Sequence, residues 1–159
     1  MKKLTLFLLV TLLILVAFAA LFFAGGTLGA ELSAVTAPAS DYPQVFESIA
    51  GVLAADAAPQ LFTADLPGEI SPEGLTLEDV TLTLSNRGIF DAEWLSVEAL
   101  PVPGDIAVYS LTGEGSTIRA RSVGTVNLKL LSRGTPAGRK YRIEYYVYGL
   151  KRQVTVSAP

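Results

Sequence analysis

The sequence predicts a mainly β protein in which one membrane-spanning helix precedes an antiparallel β-sandwich of about seven or eight strands. Three observations support this fold class. An apolar run in which only Thr5 and Thr11 are polar occupies residues 4–24, and beyond residue 59 apolar and polar residues alternate with the period of a half-buried strand. Turn signals rich in Gly, Pro and Asn recur about every eight to twelve residues, a spacing typical of sandwiches. Because no long helices alternate with the strands, a parallel α/β sheet is not predicted.

The apolar run of residues 4–24 contains no charged side chain and is predicted to cross the lipid bilayer. A helix of this length rises about 31 Å, close to the roughly 30 Å thickness of a hydrocarbon core. Lys2 and Lys3 precede the run, so the positive-inside rule places residues 1–3 in the cytoplasm as a short tip. We therefore expect a single-pass protein of the cell membrane, with its N-terminus inside and its β-sandwich outside.

A cleaved signal peptide is the alternative interpretation of the same run, and it would make the protein a secreted β-sandwich. Two candidate cleavage sites follow Ala30 and Ala39, but Leu28 lies within the first and Pro38 within the second, and both residues are unfavourable there. The run is longer than the roughly 7–15 apolar residues of an ordinary signal peptide, which favours an uncleaved signal-anchor. The chain has no Cys, so a lipoprotein signal is excluded.

The composition beyond the apolar run allows one domain and removes much catalytic chemistry. Without Cys, an exported domain must be stabilised by packing alone. Without His, it lacks the commonest general base and metal ligand. The sequence also has no phosphate-binding Gly-rich motif and no Ser-His pair. We therefore expect a non-enzymatic protein with no catalytic residues, cofactor, metal or nucleic-acid partner.

Residues 25–58 are predicted to be a tether that contains one short amphipathic helix. Small residues and Pro without apolar periodicity fill the first part of this stretch. From about residue 41 to 57, apolar side chains recur at helical spacing, with Pro43 in the first turn and Pro59 ending the helix. We expect this helix to cap one end of the following domain. In the alternative, its apolar face lies on the membrane surface.

Residues 59–159 are predicted to form the β-sandwich, beginning with a strand at Gln60. Trp94 interrupts the alternation of its strand and predicts a bulge. Residues 116–122 are predicted to be an edge strand, and a hairpin is predicted around residues 148–151. Alternation predicts these inward-facing residues: Val80, Leu82, Leu84, Leu95, Val97, Ala99, Val126, Leu128, Leu130, Tyr141, Ile143, Tyr145 and Val147.

Tyr141 favours an immunoglobulin-like version of the sandwich. It opens the penultimate strand after a Gly-containing loop, the place where such folds often have a "tyrosine corner". In that arrangement its hydroxyl would bond back to the preceding loop. In the alternative, Tyr141 is an ordinary core aromatic.

The stretch from about residue 60 to 156 resembles the late-embryogenesis-abundant type 2, or water-stress and hypersensitive-response, β-sandwich family. The resemblance lies in LEDVTLTLSNRGIF, in the Thr112-Gly113 turn and in TVNLKLL. That family has an Asn-Pro-Asn-x-Phe turn, of which Asn86 and Phe90 match while the Pro and the second Asn do not. The pattern is also similar to fibronectin type III and related surface modules. The resemblance implies a structural, stress-protective or binding role and no catalytic residue set.

Paired carboxylates give the competing hypothesis of an envelope enzyme. Asp91 and Glu93 would share one face of a strand, and Glu78 lies beside Asp79. Such pairs are compatible with a calcium ion or with glycoside hydrolysis. A solvated strand face is the alternative interpretation, because nothing like an EF-hand loop accompanies them.

Outward aromatic and basic residues are the predicted partner-binding positions, for an envelope protein or an anionic polymer. Tyr146 and Tyr148 should face outward beside the inward-facing tyrosines of their strand. Residues 31–114 carry 14 acids and one base, whereas residues 119–159 carry nine bases and one acid. The basic half either forms an exposed binding face or pairs with the acidic half across the sandwich. The basic residues of the binding hypothesis are Arg139, Lys140, Lys151 and Arg152.

Overall fold

The structure, a computed structural model, describes residues 2–24, 28–63, 70–134 and 138–158. It begins with helix α1 (Lys2–Ala24). The stretch Lys3–Ala20 has a mean hydropathy of 2.5, and none of it is buried inside the protein. This helix is therefore long and apolar enough to cross a membrane, a property that anchors and signal sequences share.

Within the described residues, eight strands form two antiparallel sheets, which confirms the predicted mainly β sandwich. The five-stranded sheet has the order β1-β3-β6-β5-β2, and the three-stranded sheet has the order β4-β7-β8. A 3-10 turn at Ala39–Asp41 and helix α2 (Pro43–Ala54) lie between the first two strands. The strands are β1 (Leu28–Pro38), β2 (Gln60–Leu61), β3 (Leu75–Asn86), β4 (Glu93–Ala99), β5 (Asp105–Thr112), β6 (Val123–Arg133), β7 (Lys140–Val147) and β8 (Leu150–Ser157).

The main core lies between the two sheets and contains the side chains that alternation predicts. Every predicted inward-facing residue of β3, β4, β6 and β7 is buried. The odd-numbered residues of β7 point inward, and those of β8 that pair with them, Val154 and Val156, pack partly against the same core. Burial of so many Leu, Val and Tyr side chains is the main stabilising contribution to this domain.

The predicted bulge and hairpin are confirmed, and the predicted edge strand at 116–122 is wrong. Pairing between β4 and β7 shifts between Glu93 and Ser96, and Trp94 has a left-handed backbone with φ of 52°. A two-residue turn, Tyr148–Gly149, joins β7 to β8. Within 116–122 only Ile118 makes a bridge, and a turn then follows in which Arg121 has φ of 58°. The left-handed backbone of Arg121 belongs to this turn, which separates the bridge at Ile118 from the start of β6 at Val123.

The tether prediction is wrong for residues 28–38, which form the 11-residue edge strand β1. Leu28 to Pro38 pair antiparallel with Asn86 to Thr76 of β3 in one unbroken register. Its small residues and Pro resemble those of a tether, although Leu28, Ala30 and Leu32 alternate with polar residues and Gly and pack toward the core. Pairing with the backbone of β3 orders the strand. Residues 25–27, the start of the predicted tether, lie outside the described residues.

Helix α2 packs on the outer face of the five-stranded sheet and creates a second, smaller core. Phe46, Ile49 and Leu53 are buried there. The sheet contributes Leu75, Leu77, Ile106, Ala107 and Leu131. The apolar face of α2 is therefore covered by protein, and the alternative that it lies on the membrane surface is wrong.

Candidate functional site

A groove of about 750 Å³ lies on the outer face of the five-stranded sheet, beside the part that α2 covers. We call it the sheet groove. Strands β1, β3, β6 and β5 form its floor, and the N-terminal turn of α2 forms one wall. Its lining combines hydroxyl, amide, charged and aromatic groups, from Ser33, Val35, Ala37, Tyr42, Val45, Leu77, Asp79, Thr81, Tyr109, Ser110, Thr112, Asn127 and Lys129.

Alternation explains why these polar side chains share one face. Residues 80, 82 and 84 of β3 fill the main core, so residues 77, 79 and 81 must point to the opposite face. On β6, residues 127 and 129 alternate in the same way with the buried residues 126, 128 and 130. The pairing partners Asp79 and Lys129, and Thr81 and Asn127, therefore stand side by side on the groove floor.

The groove floor is held by two cross-strand polar contacts. Lys129 Nζ lies 2.8 Å from Asp79 Oδ2, and the two side chains are 44% and 52% exposed. At that exposure the ion pair contributes at most about 1 kcal/mol, so a ligand can compete for either partner. Thr81 Oγ1 donates a hydrogen bond of 3.0 Å to Asn127 Oδ1. An amide oxygen has two lone pairs, so Asn127 Oδ1 can accept a second hydrogen bond from an incoming donor.

Two tyrosines border the groove. Tyr42 lies at the start of α2 and is 51% exposed, whereas Tyr109 of β5 is half-buried against the second core. Burial, with a smaller contribution from the charge of Asp79, raises the pKa of Tyr109 to about 12. Its hydroxyl therefore stays protonated at neutral pH and can donate a hydrogen bond. The groove thus presents aromatic surface together with donors and acceptors.

The predicted carboxylate pairs do not converge in this groove. Asp79 faces the groove, while Glu78 is buried on the other side of β3. Asp91 accepts a hydrogen bond of 2.8 Å from the Ala120 N–H, in a loop away from the groove. Among the described residues, no group of three or more acidic side chains is placed to hold a metal ion.

Arg139 is not an exposed binding residue, and that prediction is wrong. Its side chain is almost completely buried, and its guanidinium donates to Glu78 Oε2 and Asp105 Oδ1. Each carboxylate has a further donor, since Tyr141 Oη donates to Glu78 at 3.2 Å and the Val102 N–H donates to Asp105 at 2.8 Å. Burial alone would lower the pKa of Arg139, but the charges of Glu78 and Asp105 bring its net direction upward. The two acids, one on β3 and one on β5, therefore stabilise the charged guanidinium in the protein interior.

The hydroxyl of Tyr141 belongs to this buried cluster, where it donates to Glu78 of β3. The loop before β7 includes residues 135–137, which lie outside the described residues, so the tyrosine corner stays a prediction. Burial, and then the charge of Glu78, raise the pKa of Tyr141. Its ring is buried in the main core, as the alternative expects. The hydroxyl of another tyrosine of β7 connects the two sheets: Tyr145 Oη accepts a hydrogen bond of 3.0 Å from the Leu28 N–H of β1.

The other predicted binding residues are not gathered into one face. Tyr146 and Lys151 are opposite each other on the outer face of the three-stranded sheet, with Lys151 Nζ 2.7 Å from Glu144. Arg152 is opposite Tyr145, which turns it toward the other face. Lys140 lies at the far end of β7, and Tyr148 lies in the hairpin turn with its ring 4.5 Å from that of Phe90.

Among the described residues, charge pairing joins three of the nine bases of the later half to acids of the earlier half. Exposed pairs join Lys129 to Asp79 and Arg142 to Glu98, both at 2.8 Å. Arg139 joins two further acids in the buried cluster. Each of these pairs connects a base of the later half with an acid of the earlier half, as the pairing hypothesis expects.

Sequence reasoning missed the sheet groove because it treated outward-facing residues as solvated. The sequence does contain a signal for the groove, because the outward-facing positions of β3 and β6 hold polar residues. In the paired strands, Asp79 lies beside Lys129 and Thr81 lies beside Asn127. The wall formed by Tyr42 could not be seen without knowing that α2 folds back onto the sheet.

No model of a known protein family matches the sequence. A comparison with curated proteins gives no match. Among solved structures, the chain is similar to the crystal structure of the yeast GGA1 GAE domain, with a TM-score of 0.37 and 14% sequence identity. The similarity covers 57% of this chain and 96% of that chain. The resemblance to the late-embryogenesis-abundant family therefore stays a prediction, and the sandwich itself follows from the two sheets described above.

Proposed function

We propose that the protein is a membrane-anchored, non-catalytic binding module of the cell envelope, whose sheet groove takes a hydroxyl-rich ligand such as a glycan. One observation carries the proposal: an unburied apolar helix precedes a folded sandwich that keeps an open, mixed polar and aromatic groove. Hydroxyl and amide groups match the donors and acceptors of a sugar, and tyrosine rings match its apolar face.

The position of β1 supports an uncleaved anchor over a secreted protein. Cleavage after Ala30 would remove the first residues of β1, and cleavage after Ala39 would remove the whole strand. Either cut would take paired backbone and the buried Leu28 away from the sandwich. The anchor leaves the sheet intact.

The groove chemistry supports binding over catalysis. Glycoside hydrolysis uses two carboxyl groups on either side of the scissile bond. Among the described lining residues Asp79 is the single carboxylate, and it is paired with Lys129. An enzyme with a carboxylate pair is therefore the weaker alternative.

The anchor is tested by extraction and by protease added from outside. We expect the intact protein to stay in the membrane through an alkaline carbonate wash, because α1 buries its apolar side chains in lipid. Protease added to whole cells should digest the sandwich and leave an embedded fragment with α1. A mature protein found free in the medium and beginning at Glu31 or Ser40 would contradict the anchor.

The binding role is tested with the intact protein in lipid nanodiscs on a glycan array. Tyr42→Ala is expected to weaken binding to any glycan that scores positive by up to about tenfold, since an aromatic contact contributes about 0.5–1.5 kcal/mol. Tyr148→Ala is the matched control, because it removes an exposed tyrosine outside the groove. Equal losses in both variants, or no glycan bound at all, would argue against the groove as the site.

A further inference from the structure

We propose that the end of the sandwich nearest α1 rests on the lipid surface, as a second membrane contact besides the helix. We call this end the basal end and define it by residues 87–91, 119–123 and 148–150. The inference depends on the proposed anchor, because it requires α1 to be in the bilayer. It goes further by assigning a lipid-facing role to side chains of the folded domain.

Hydrogen bonds gather these three segments at the start of β1. The Leu28 N–H donates to Tyr145 Oη at 3.0 Å, which ties β1 to the strand that ends in the Tyr148–Gly149 turn. Asn86, paired with Leu28, donates through its side-chain amide to the backbone oxygens of Phe90 at 2.8 Å and Ile118 at 3.0 Å. The turns after β3, before β6 and between β7 and β8 therefore lie at one end of the sandwich.

The chain between α1 and β1 is too short to hold this end far from a bilayer. Helix α1 ends at Ala24 and β1 begins at Leu28, so residues 25–27 separate them. Four steps of an extended chain span at most about 14 Å. The headgroup regions add roughly 10–15 Å in total to a bilayer's hydrocarbon core, or about 5–7.5 Å on each side. With α1 ending at the edge of that core, even a fully extended connection would leave Leu28 less than about 10 Å beyond the headgroup layer.

The side chains at the basal end suit the interface between lipid and water. Four apolar or aromatic residues are exposed there: Ile89, Val123, Tyr148 and Leu150 are 50%, 65%, 66% and 44% exposed. Arg87, Arg119 and Arg121 are exposed beside them. Tyrosine and aliphatic side chains partition into the interfacial region, and arginines bind lipid phosphates. The basal end also contains Asp91, and Glu93 lies beside it, so three arginines face two acids and one positive charge remains in excess.

The opposite end has the reverse character, which gives the domain an orientation. It carries α2 and the turn before β3, with the exposed acids Asp41, Glu47, Asp56 and Glu73. Arg133 and Lys140 are the exposed bases described there. An anionic surface attracts the basal end and repels this one. The sheet groove borders α2 and so would face away from the membrane.

The test uses the intact protein in nanodiscs of phosphatidylcholine and phosphatidylglycerol. Because the chain contains no Cys, a single fluorescent label can be placed by Ile89→Cys at the basal end or by Tyr42→Cys as the control. The two native side chains are 50% and 51% exposed, so the sites are matched in solvent access. We expect quencher-bearing lipids to quench the Ile89 label several-fold more than the Tyr42 label, and iodide in solution to do the reverse.

Equal quenching of the two labels by lipid, in a protein that resists carbonate extraction, would overturn this inference and leave the anchor intact. Loss of the protein from the nanodisc would instead refute the anchor. The contribution of the three arginines to lipid binding is tested by a variant that combines Arg87→Gln, Arg119→Gln and Arg121→Gln. This variant should show reduced lipid quenching of the Ile89 label. Arg133→Gln should leave it unchanged. Equal quenching in both variants would overturn the role of these arginines.

Discussion

A protein shortened to begin at Asp41 is expected to lose its cooperative fold, whereas one that begins at Leu28 is expected to keep it. The shorter protein lacks β1, so β3 loses an entire paired neighbour and the core loses Leu28 and its partly buried neighbours Ala30 and Leu32. Domains of this size are stable by only about 5–15 kcal/mol, and each buried aliphatic side chain contributes about 1.5–3 kcal/mol. Removing a whole strand therefore takes away a large part of the total.

Urea unfolding followed by far-UV circular dichroism measures the difference. The protein beginning at Leu28 should unfold in one transition, and it serves as the control because it lacks α1 but keeps all eight strands. The protein beginning at Asp41 should be unfolded or aggregated without denaturant. Equal midpoints for the two would mean that β1 contributes nothing to the sandwich.

Arg139→Met is expected to lower the free energy of unfolding by about 3–5 kcal/mol, the usual cost of breaking a buried ion pair. The substitution removes a buried cation and leaves Glu78 and Asp105 without their shared partner. Arg133→Met is the control, since Arg133 is exposed and lies on the strand that pairs with both β3 and β5. Its effect should be within about 0.5 kcal/mol, as for most surface substitutions.

A double-mutant cycle shows whether the large effect arises from the cluster itself. Because Arg139 and Glu78 contact each other, Glu78→Gln combined with Arg139→Met should cost less than the sum of the single variants, by about 0.5–3 kcal/mol. Additive losses, or a loss in Arg139→Met no larger than in Arg133→Met, would contradict a role for the buried ion pairs in stability.

The parts of the fold that the sequence predicted were those with strong side-chain alternation. Leu82 and Leu128 alternate with polar neighbours, and the structure buries both completely. Helix α2 was visible because Phe46, Ile49 and Leu53 recur at helical spacing. In each case the buried face of the helix or strand must be apolar, so the spacing of the apolar residues predicts which side chains are buried.

The features that the sequence did not predict all depend on which distant segments of the chain become neighbours in the fold. Strand β1 has few large apolar residues, and its place depends on the free backbone edge of β3. Arg139 looked exposed beside Lys140, and only the convergence of β3 and β5 brings two acids to it. The sheet groove likewise depends on which strands are neighbours. Such information is absent from local patterns.

The direct passage from α1 into β1 determines how the sandwich would respond to mechanical tension. A pull applied through the helix enters β1 at Leu28, and β8 ends at the opposite end of the domain, where the Ala158 N–H bonds to the Arg139 carbonyl at 2.9 Å. The force therefore runs parallel to the strands, while the hydrogen bonds between β1 and β3 run across them. The hydrogen bonds between β1 and β3 would therefore be loaded in shear, all at the same time, and would not break one after another. As a result, β1 would resist detachment from β3 when the outer end of the domain is pulled.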